Sequence, residues 1–351
     1  MTLQGIKSVN RKQLAAGFSL LETMIAMAVL LGVGAIVMYG TLRTMNTQGT
    51  ITNRTEMHTS VRSATELLQQ EIGQAGRIAA PLNVAGTGPQ TMTMLTPVVI
   101  PVTSTTGSVT VQVTISPDTA VPSLFNGEWI TVDGGASLAN GPLQESVQIT
   151  CGDPCSNPVT ATFTKNHNAN VPVSVQGSFQ WGIIPNTQAG GSDANHLKMF
   201  GDINGDGNMV YVVYTCQQGT TTAPGYLYRN EVQWNAAAIP NNDTNMILLN
   251  NVLNNPNDQN GNTFPCFLYQ VKHVGATAGA TGDFVTNVEV TLTVQTELQD
   301  PTTHQFQPET KALLNVSPRN VFNAWELYSG NLTDRVQPTP PTVVALYPTN
   351  P

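Results

Sequence analysis

The stretch Phe18–Tyr39 reads FSLLETMIAMAVLLGVGAIVMY, and Glu22 carries its only charge. As an α-helix these residues would rise about 33 Å, which matches the hydrocarbon core of a bilayer. Three basic residues precede it, all within the first 12 positions of the chain. The positive-inside rule therefore predicts a cytoplasmic N-terminus and an extracytoplasmic location for everything after Arg43.

Three simpler interpretations of this apolar stretch explain less. A secretory signal peptide would have a shorter apolar core and a small-residue cleavage site, whereas Gly-Thr-Leu-Arg follows here. A plain membrane anchor fits the length but leaves Glu22 unexplained, because a carboxylate in a spanning segment is costly and is usually retained for a function. A core helix of a soluble protein is usually amphipathic, and the 22 residues 18–39 have no polar face and so form no amphipathic stripe.

Residues 11–22, RKQLAAGFSLLE, resemble the class III leader of type IV prepilins and pseudopilins. The shared features are a basic leader, then Gly17 and Phe18, and Glu22 four residues further on. The resemblance implies that a prepilin peptidase removes residues 1–17 by cutting after Gly17 and methylates the new amino terminus of Phe18. Glu22 lies about one helical turn from that amine, and its carboxylate can neutralise the amine of an adjacent subunit during assembly.

The helical pattern continues beyond the apolar stretch. Apolar residues recur at steps of three and four positions: Met57, Val61, Ala64, Leu68, Ile72 and Ala75. We therefore assign residues 18–78 to one helix about 90 Å long, of which 18–39 are apolar all round and the second half is amphipathic. Gly32, Gly34 and Gly40 lower the helix propensity, so we expect local unwinding near the middle of the apolar half.

The chain changes character after Pro81, where β-branched runs alternate with Gly, Pro and Asn. Period-two alternation predicts strands at 108–115, 159–164, 209–214 and 287–296. Since no second long helical pattern follows, the predicted fold is α+β: a long N-terminal helix carrying a large, mainly antiparallel β head, like a lollipop. The head spans 79–330, large enough for two β subdomains.

The last segment, 331–351, is rich in proline and is predicted to form an extended tail. Val343–Tyr347 is an apolar stretch within it that could dock on the head instead.

A second resemblance lies near the two ends of the head. Residues 288–294, 311–316 and 319–321 look like the closing strands of large minor pilins of the PilW-like class, and J-type pseudopilins of type II secretion look similar. Residues 67–77 resemble the helix end in that class. The middle, from about Pro81 to Phe284, resembles no family.

Four cysteines in an exported head favour disulfides. Local pairing would join Cys151 to Cys155 and Cys216 to Cys266. A zinc site is the weaker alternative, because zinc ligands usually come in two closely spaced pairs and only one such pair is present.

An acidic loop between two predicted strands carries half of a calcium-binding pattern. Its candidate ligands are Asp202, Asn204, Asp206 and Asn208. The second half is missing, because Val213 stands where such a loop has its bidentate Glu. Calcium binding and a plain Asn/Gly-rich hairpin turn therefore remain alternatives.

Composition and motifs argue against two other classes of function. The net charge is −8, and loss of residues 1–17 would leave 11 basic against 22 acidic residues, or −11, so we expect no nucleic-acid partner. The five histidines show no spacing suited to a shared metal, and no nucleotide-binding or hydrolase motif is present. We expect no enzymatic activity and no required cofactor.

The resemblance implies a minor pilin that helps prime assembly of a type IV pilus and stays at or near its tip. Its partners would be other minor and major pilins, the prepilin peptidase, the inner-membrane assembly platform and, in some systems, a tip adhesin. The protein would lie in the inner membrane before assembly and in a surface pilus or periplasmic pseudopilus afterwards. The alternatives are a J-like pseudopilin of type II secretion and a tip adhesin or ligand-binding pilin.

Overall fold

The computed structural model describes residues 19–79, 91–101, 107–134, 143–275 and 282–351. It begins with one long helix, followed by two antiparallel β-sheets and a helical C-terminal segment. The predicted α+β fold, a long apolar helix that carries a large antiparallel β head, is confirmed.

Helix α1 spans Leu20–Gln74 without interruption. Ser19 caps its start, because the Ser19 hydroxyl accepts a hydrogen bond from the backbone N–H of Leu21 at 3.3 Å. It ends before Gly76, whose φ of +80° is unfavourable for residues with a side chain. The expected unwinding at the three central glycines does not occur, since each glycine costs only about 1 kcal/mol within a helix that keeps its hydrogen bonds.

The two halves of α1 have different surroundings. Residues 20–48 are exposed throughout, and contact with the head begins at Gly49, which lies against Pro301. From there on the predicted apolar stripe is buried: Met57, Val61, Ala64, Leu68, Ile72 and Ala75. The amphipathic half of the helix therefore belongs to the core of the head, as its spacing predicts.

The first sheet follows α1 and has seven antiparallel strands. They are β1 (Met92–Met94), β2 (Val109–Val113), β3 (Ile115–Ser116), β4 (Trp129–Val132), β5 (Glu145–Thr150), β6 (Val159–Phe163) and β7 (Val171–Val175). Their spatial order is β2-β6-β5-β4-β7-β1-β3. This sheet encloses an apolar core of its own, which makes it one of two β units. A short strand, β8 (Ser178–Phe179), leads away from it.

The second sheet contains β9 (His196–Gly201), β10 (Val210–Gln217), β11 (Gly225–Gln233), β12 (Ile247–Leu253), β13 (Phe267–His273), β14 (Asp283–Gln295) and β15 (Pro308–Val316). The order is β9-β10-β11-β12-β14-β13, and the long strand β14 also pairs with β15. The inner face of this sheet and the buried stripe of α1 form one apolar cluster. Each of the four strands predicted from alternation overlaps an observed strand of the two sheets, although the predicted strand 108–115 is divided between β2 and β3.

Two expectations for the C-terminal region are wrong. Residues 319–321 begin helix α2 (Arg319–Ser329) rather than a strand. The segment 331–351 is not an extended tail, because β16 (Val336–Gln337) pairs in parallel with β8 and a short helix, α3 (Pro341–Leu346), packs on the head. The apolar stretch within 343–347 is what docks it: Val343, Leu346 and Tyr347 are buried.

Candidate assembly site

The exposed half of α1 is the most unusual surface of the described chain. An 18-residue window of this helix has a mean hydropathy of 2.3, and none of that window is buried. Large apolar side chains cover every side of it, among them Leu30, Leu31 and Ile36. By length and composition this helix can cross a membrane, which agrees with the predicted spanning segment.

Glu22 lies in the first turn of α1, where the helix dipole favours a negative charge. It is exposed, and no ion pair or hydrogen bond of its side chain is present within the described ranges. Gly17 and Phe18, the predicted cleavage and methylation positions, lie outside the described residues. The roles of these three residues therefore stay predictions.

A buried polar cluster fastens the second half of α1 to the head. The Glu71 carboxylate accepts hydrogen bonds from Arg229 Nη2 at 2.7 Å and Nε at 2.9 Å, and from the Tyr214 hydroxyl at 2.7 Å. Arg229 also donates to Glu231 at 2.6 Å. We call these four residues the Glu71 cluster; Glu71 itself is only 4% exposed. Fixed geometry and charge make such contacts strong when they are shielded from water.

Burial, and then the nearby Glu71 carboxylate, raise the pKa of Tyr214 well above its usual range. Tyr214 therefore stays a hydrogen-bond donor to Glu71 at all physiological pH values. Sequence reasoning missed this cluster, although one signal was present: Glu71 interrupts the apolar stripe of the helix between Leu68 and Ile72. A carboxylate on a buried face requires a partner.

The cysteines pair as local spacing predicts. Cys151 lies at disulfide distance from Cys155, with 5.2 Å between the Cα atoms. Cys216 pairs with Cys266 at a Cα separation of 6.4 Å and joins β10 to the start of β13. Both pairs lie in the head, one in each β unit.

The acidic loop uses both carboxylate oxygens of Asp202 and one of Asp206 for contacts within the protein. Asp202 is 1% exposed, lies 3.6 Å from Arg77 Nε and accepts the backbone N–H of Gly207 at 3.3 Å. Asn204 donates to Glu231 at 3.0 Å, which links this loop to the Glu71 cluster. Asp206 is exposed and accepts the backbone N–H of Asn208 at 2.9 Å. Calcium binding here stays a prediction, and the loop already supports the end of α1.

His167 is the one histidine of this chain whose side chain the structure shows fully enclosed between acidic partners. Its Nε2 lies 2.8 Å from Glu145 and its Nδ1 lies 3.4 Å from Asp133. Glu145 also accepts the backbone N–H of Thr164 at 3.0 Å. The arrangement ties strand β5 to the residues that follow β6, which is a structural role.

Three comparisons, with protein-family models, with curated proteins and with solved structures, find no match to this chain. The resemblance of residues 11–22 to prepilin leaders therefore rests on the motif itself.

Proposed function

We propose that this chain is a minor pilin, a structural subunit that helps prime assembly of a type IV pilus and stays at or near its tip. The observation that carries the proposal is the division of α1. Its first half is apolar, unburied and long enough to span a membrane, and its second half is built into the core of a β head. A filament whose core is a bundle of such helices, with the heads outside, uses both halves.

Transfer of the exposed half of α1 from lipid into a filament would be driven by helix packing and by the charge of Glu22. Apolar helices gain no hydrophobic energy from associating in lipid, so close packing and polar contacts must hold them together. An exposed carboxylate in the first turn favours a cationic partner. The amine of Phe18 on a neighbouring pilin, created by the prepilin peptidase, would supply that cation after delivery to the assembly platform in the inner membrane.

The head supports a minor rather than a major role. Two seven-stranded sheets make a head of more than 200 residues, which would crowd a thin shaft in which every subunit carried one. We therefore propose a low copy number near the tip, with other minor pilins as immediate neighbours. No cofactor is needed for this role, and the acidic charge disfavours binding to DNA.

The first test is mass spectrometry of sheared surface filaments from the native host. A methylated N-terminal peptide beginning at Phe18, in trace amounts relative to the dominant subunit, is the expected result. A precursor that keeps residues 1–17 and remains in the membrane would refute the proposal. If deletion abolishes protein export but leaves pili intact, the chain belongs to a secretion pseudopilus instead.

Two substitutions separate cleavage from incorporation. Gly17→Trp should leave the precursor uncut, because the peptidase pocket accepts a small residue there. Glu22→Ala should be cut normally yet be missing from filaments, whereas Glu56→Ala, which removes another exposed carboxylate of α1, should be incorporated. Immunoblots of membrane and filament fractions measure both effects. Incorporation of Glu22→Ala at the native level would contradict the assigned role.

A further inference from the structure

An apolar groove crosses the outer face of the second sheet, opposite the face that packs on α1. Its floor is formed by Leu268 on β13, Glu289 on β14 and Ala312 on β15, and Phe264 and Pro265 form its wall. Its volume is about 280 Å³. The groove is separate from α1 and from the Glu71 cluster, so the proposed assembly role does not use it.

Strand register explains why these side chains face outward together. Leu268 lies directly opposite Glu289 in the β13–β14 pair, and Ala312 lies opposite Thr291 in the β14–β15 pair. Their neighbours along β14, Val288, Val290 and Leu292, fill the inner core. Alternation along the strand therefore sends Glu289 and Thr291 to the opposite face.

The groove is accessible to a partner because its large apolar side chains are exposed to solvent. Phe264 is 46% exposed and Leu268 is 53% exposed, although both are large and apolar. Exposed apolar residues that line a concave surface are typical of binding sites.

Glu289 is the charged group in this groove. It is partly buried, and its carboxylate has no hydrogen bond or ion pair within the described ranges. No basic residue lines the groove. A cationic ligand bound in the groove would bring a counter-charge to this carboxylate and shield the pair from water, where such a contact is strong.

We propose that this groove binds an arginine side chain presented by a segment of a partner protein. The volume is below that of a pocket for a drug-sized molecule and suits one long side chain. The aliphatic stem of arginine would lie on Leu268 and over the small Ala312, as the stems of long cationic side chains do on apolar surfaces. Its guanidinium would reach the Glu289 carboxylate, where two parallel hydrogen bonds can form, and would also stack on Phe264.

The test uses the purified full-length chain in lipid nanodiscs and peptides with one changed residue. The probes are acetyl-Val-Arg-Val-amide, its lysine counterpart and its uncharged norleucine counterpart, titrated by calorimetry. We expect the arginine peptide to bind about tenfold more tightly than the norleucine peptide, with lysine between them. Equal affinities, or no binding of the arginine peptide up to about 5 mM, would overturn the proposal.

Three variants connect binding to the groove. Glu289→Gln should lower affinity for the arginine peptide about tenfold and leave the norleucine peptide unchanged. Ala312→Phe should fill the groove and abolish binding of both peptides. Glu297→Gln removes an exposed carboxylate just after β14 and should change nothing; an equal loss in that variant would mean general attraction to an acidic surface and would refute the site.

Agmatine, which carries the same guanidinium without a peptide, distinguishes a partner protein from a small cation. Binding of agmatine as tight as that of the peptide would overturn the assignment to a protein segment. The inference does not depend on the proposed function, because it is measured on the isolated chain. Its failure would leave the pilin proposal intact, and absence of the chain from filaments would leave the groove intact.

Discussion

Replacement of Glu71 by alanine removes the acceptor at the centre of the cluster that holds α1 on the second sheet. Arg229 then loses two hydrogen bonds to a carboxylate, at 2.7 and 2.9 Å, and Tyr214 loses its acceptor while both stay mostly enclosed. Loss of one partner from a buried pair costs about 3–5 kcal/mol when the other charge is left without compensation. Arg229 keeps its contact with Glu231, so we expect the lower end of that range, about 3 kcal/mol. For a domain of this size, that corresponds to a drop in the unfolding temperature of roughly 6–12 °C.

The matched control is Glu66→Ala, one helical turn or so away on the same helix. Glu66 pairs with Arg62 on the exposed face, where such pairs contribute little to stability. The unfolding temperature of Glu66→Ala should therefore stay close to that of the native chain. Thermal unfolding of the full-length chain, followed by tryptophan fluorescence, measures both variants. Hydrogen exchange should accelerate over residues 57–75 in Glu71→Ala. If Glu71→Ala and Glu66→Ala have the same unfolding temperature, the Glu71 cluster does not fasten the helix and the reasoning fails.

Three further predictions concern the head. Burial raises the pKa of Glu128 from 4.5 to about 8, so the folded chain binds this proton more tightly than the unfolded chain does. The free energy of unfolding should therefore fall as the pH rises from 4.5 to about 8. Glu128→Gln should flatten this pH dependence in unfolding experiments, and an unchanged slope would contradict the prediction. Cys216→Ser removes the disulfide that closes a 50-residue loop and should lower the free energy of unfolding by about 4 kcal/mol. Denaturant unfolding measures this, and an unchanged free energy would contradict the prediction. Deletion of 341–351 removes the buried Val343 and Tyr347, and should expose apolar surface that binds a hydrophobic dye; no added dye binding would show that α3 is dispensable.

Regular patterns in the sequence were sufficient for much of this fold. The buried stripe of α1 follows from the three- and four-residue spacing between Met57 and Ala75, because a helix must bury one apolar face. Strand β14 follows from its alternating residues, and the pairing of Cys151 with Cys155 follows from their separation of 4 residues. In each case the information is local, since a short window of chain contains the whole pattern.

The missed features depend on contacts between distant parts of the chain. Arg229 and Glu71 are 158 residues apart, so nothing near either of them identifies its partner. Residues 319–321 begin a helix because the amphipathic run through Ser329 packs Val321 and Ala324 against the sheet. The prolines of the C-terminal segment favour an extended chain, whereas its few apolar residues favour packing on the head. Tertiary packing decides between these two conformations, and the sequence pattern alone does not.

The contacts at the end of α1 explain why the helix and the head should move as one body. Gly76 and Gly182 approach so closely that a Cβ on Gly182 would lie 2.2 Å from the Gly76 Cα, and Val321 of α2 lies against both. Asn320 adds hydrogen bonds to the last carbonyl groups of the helix, at 3.1 Å to Gln74 and 3.3 Å to Ala75. Force applied to the exposed half of α1 would therefore reach the head through backbone contacts as well as through the Glu71 cluster. A side chain at position 182 would separate these elements, so the attachment requires glycine there.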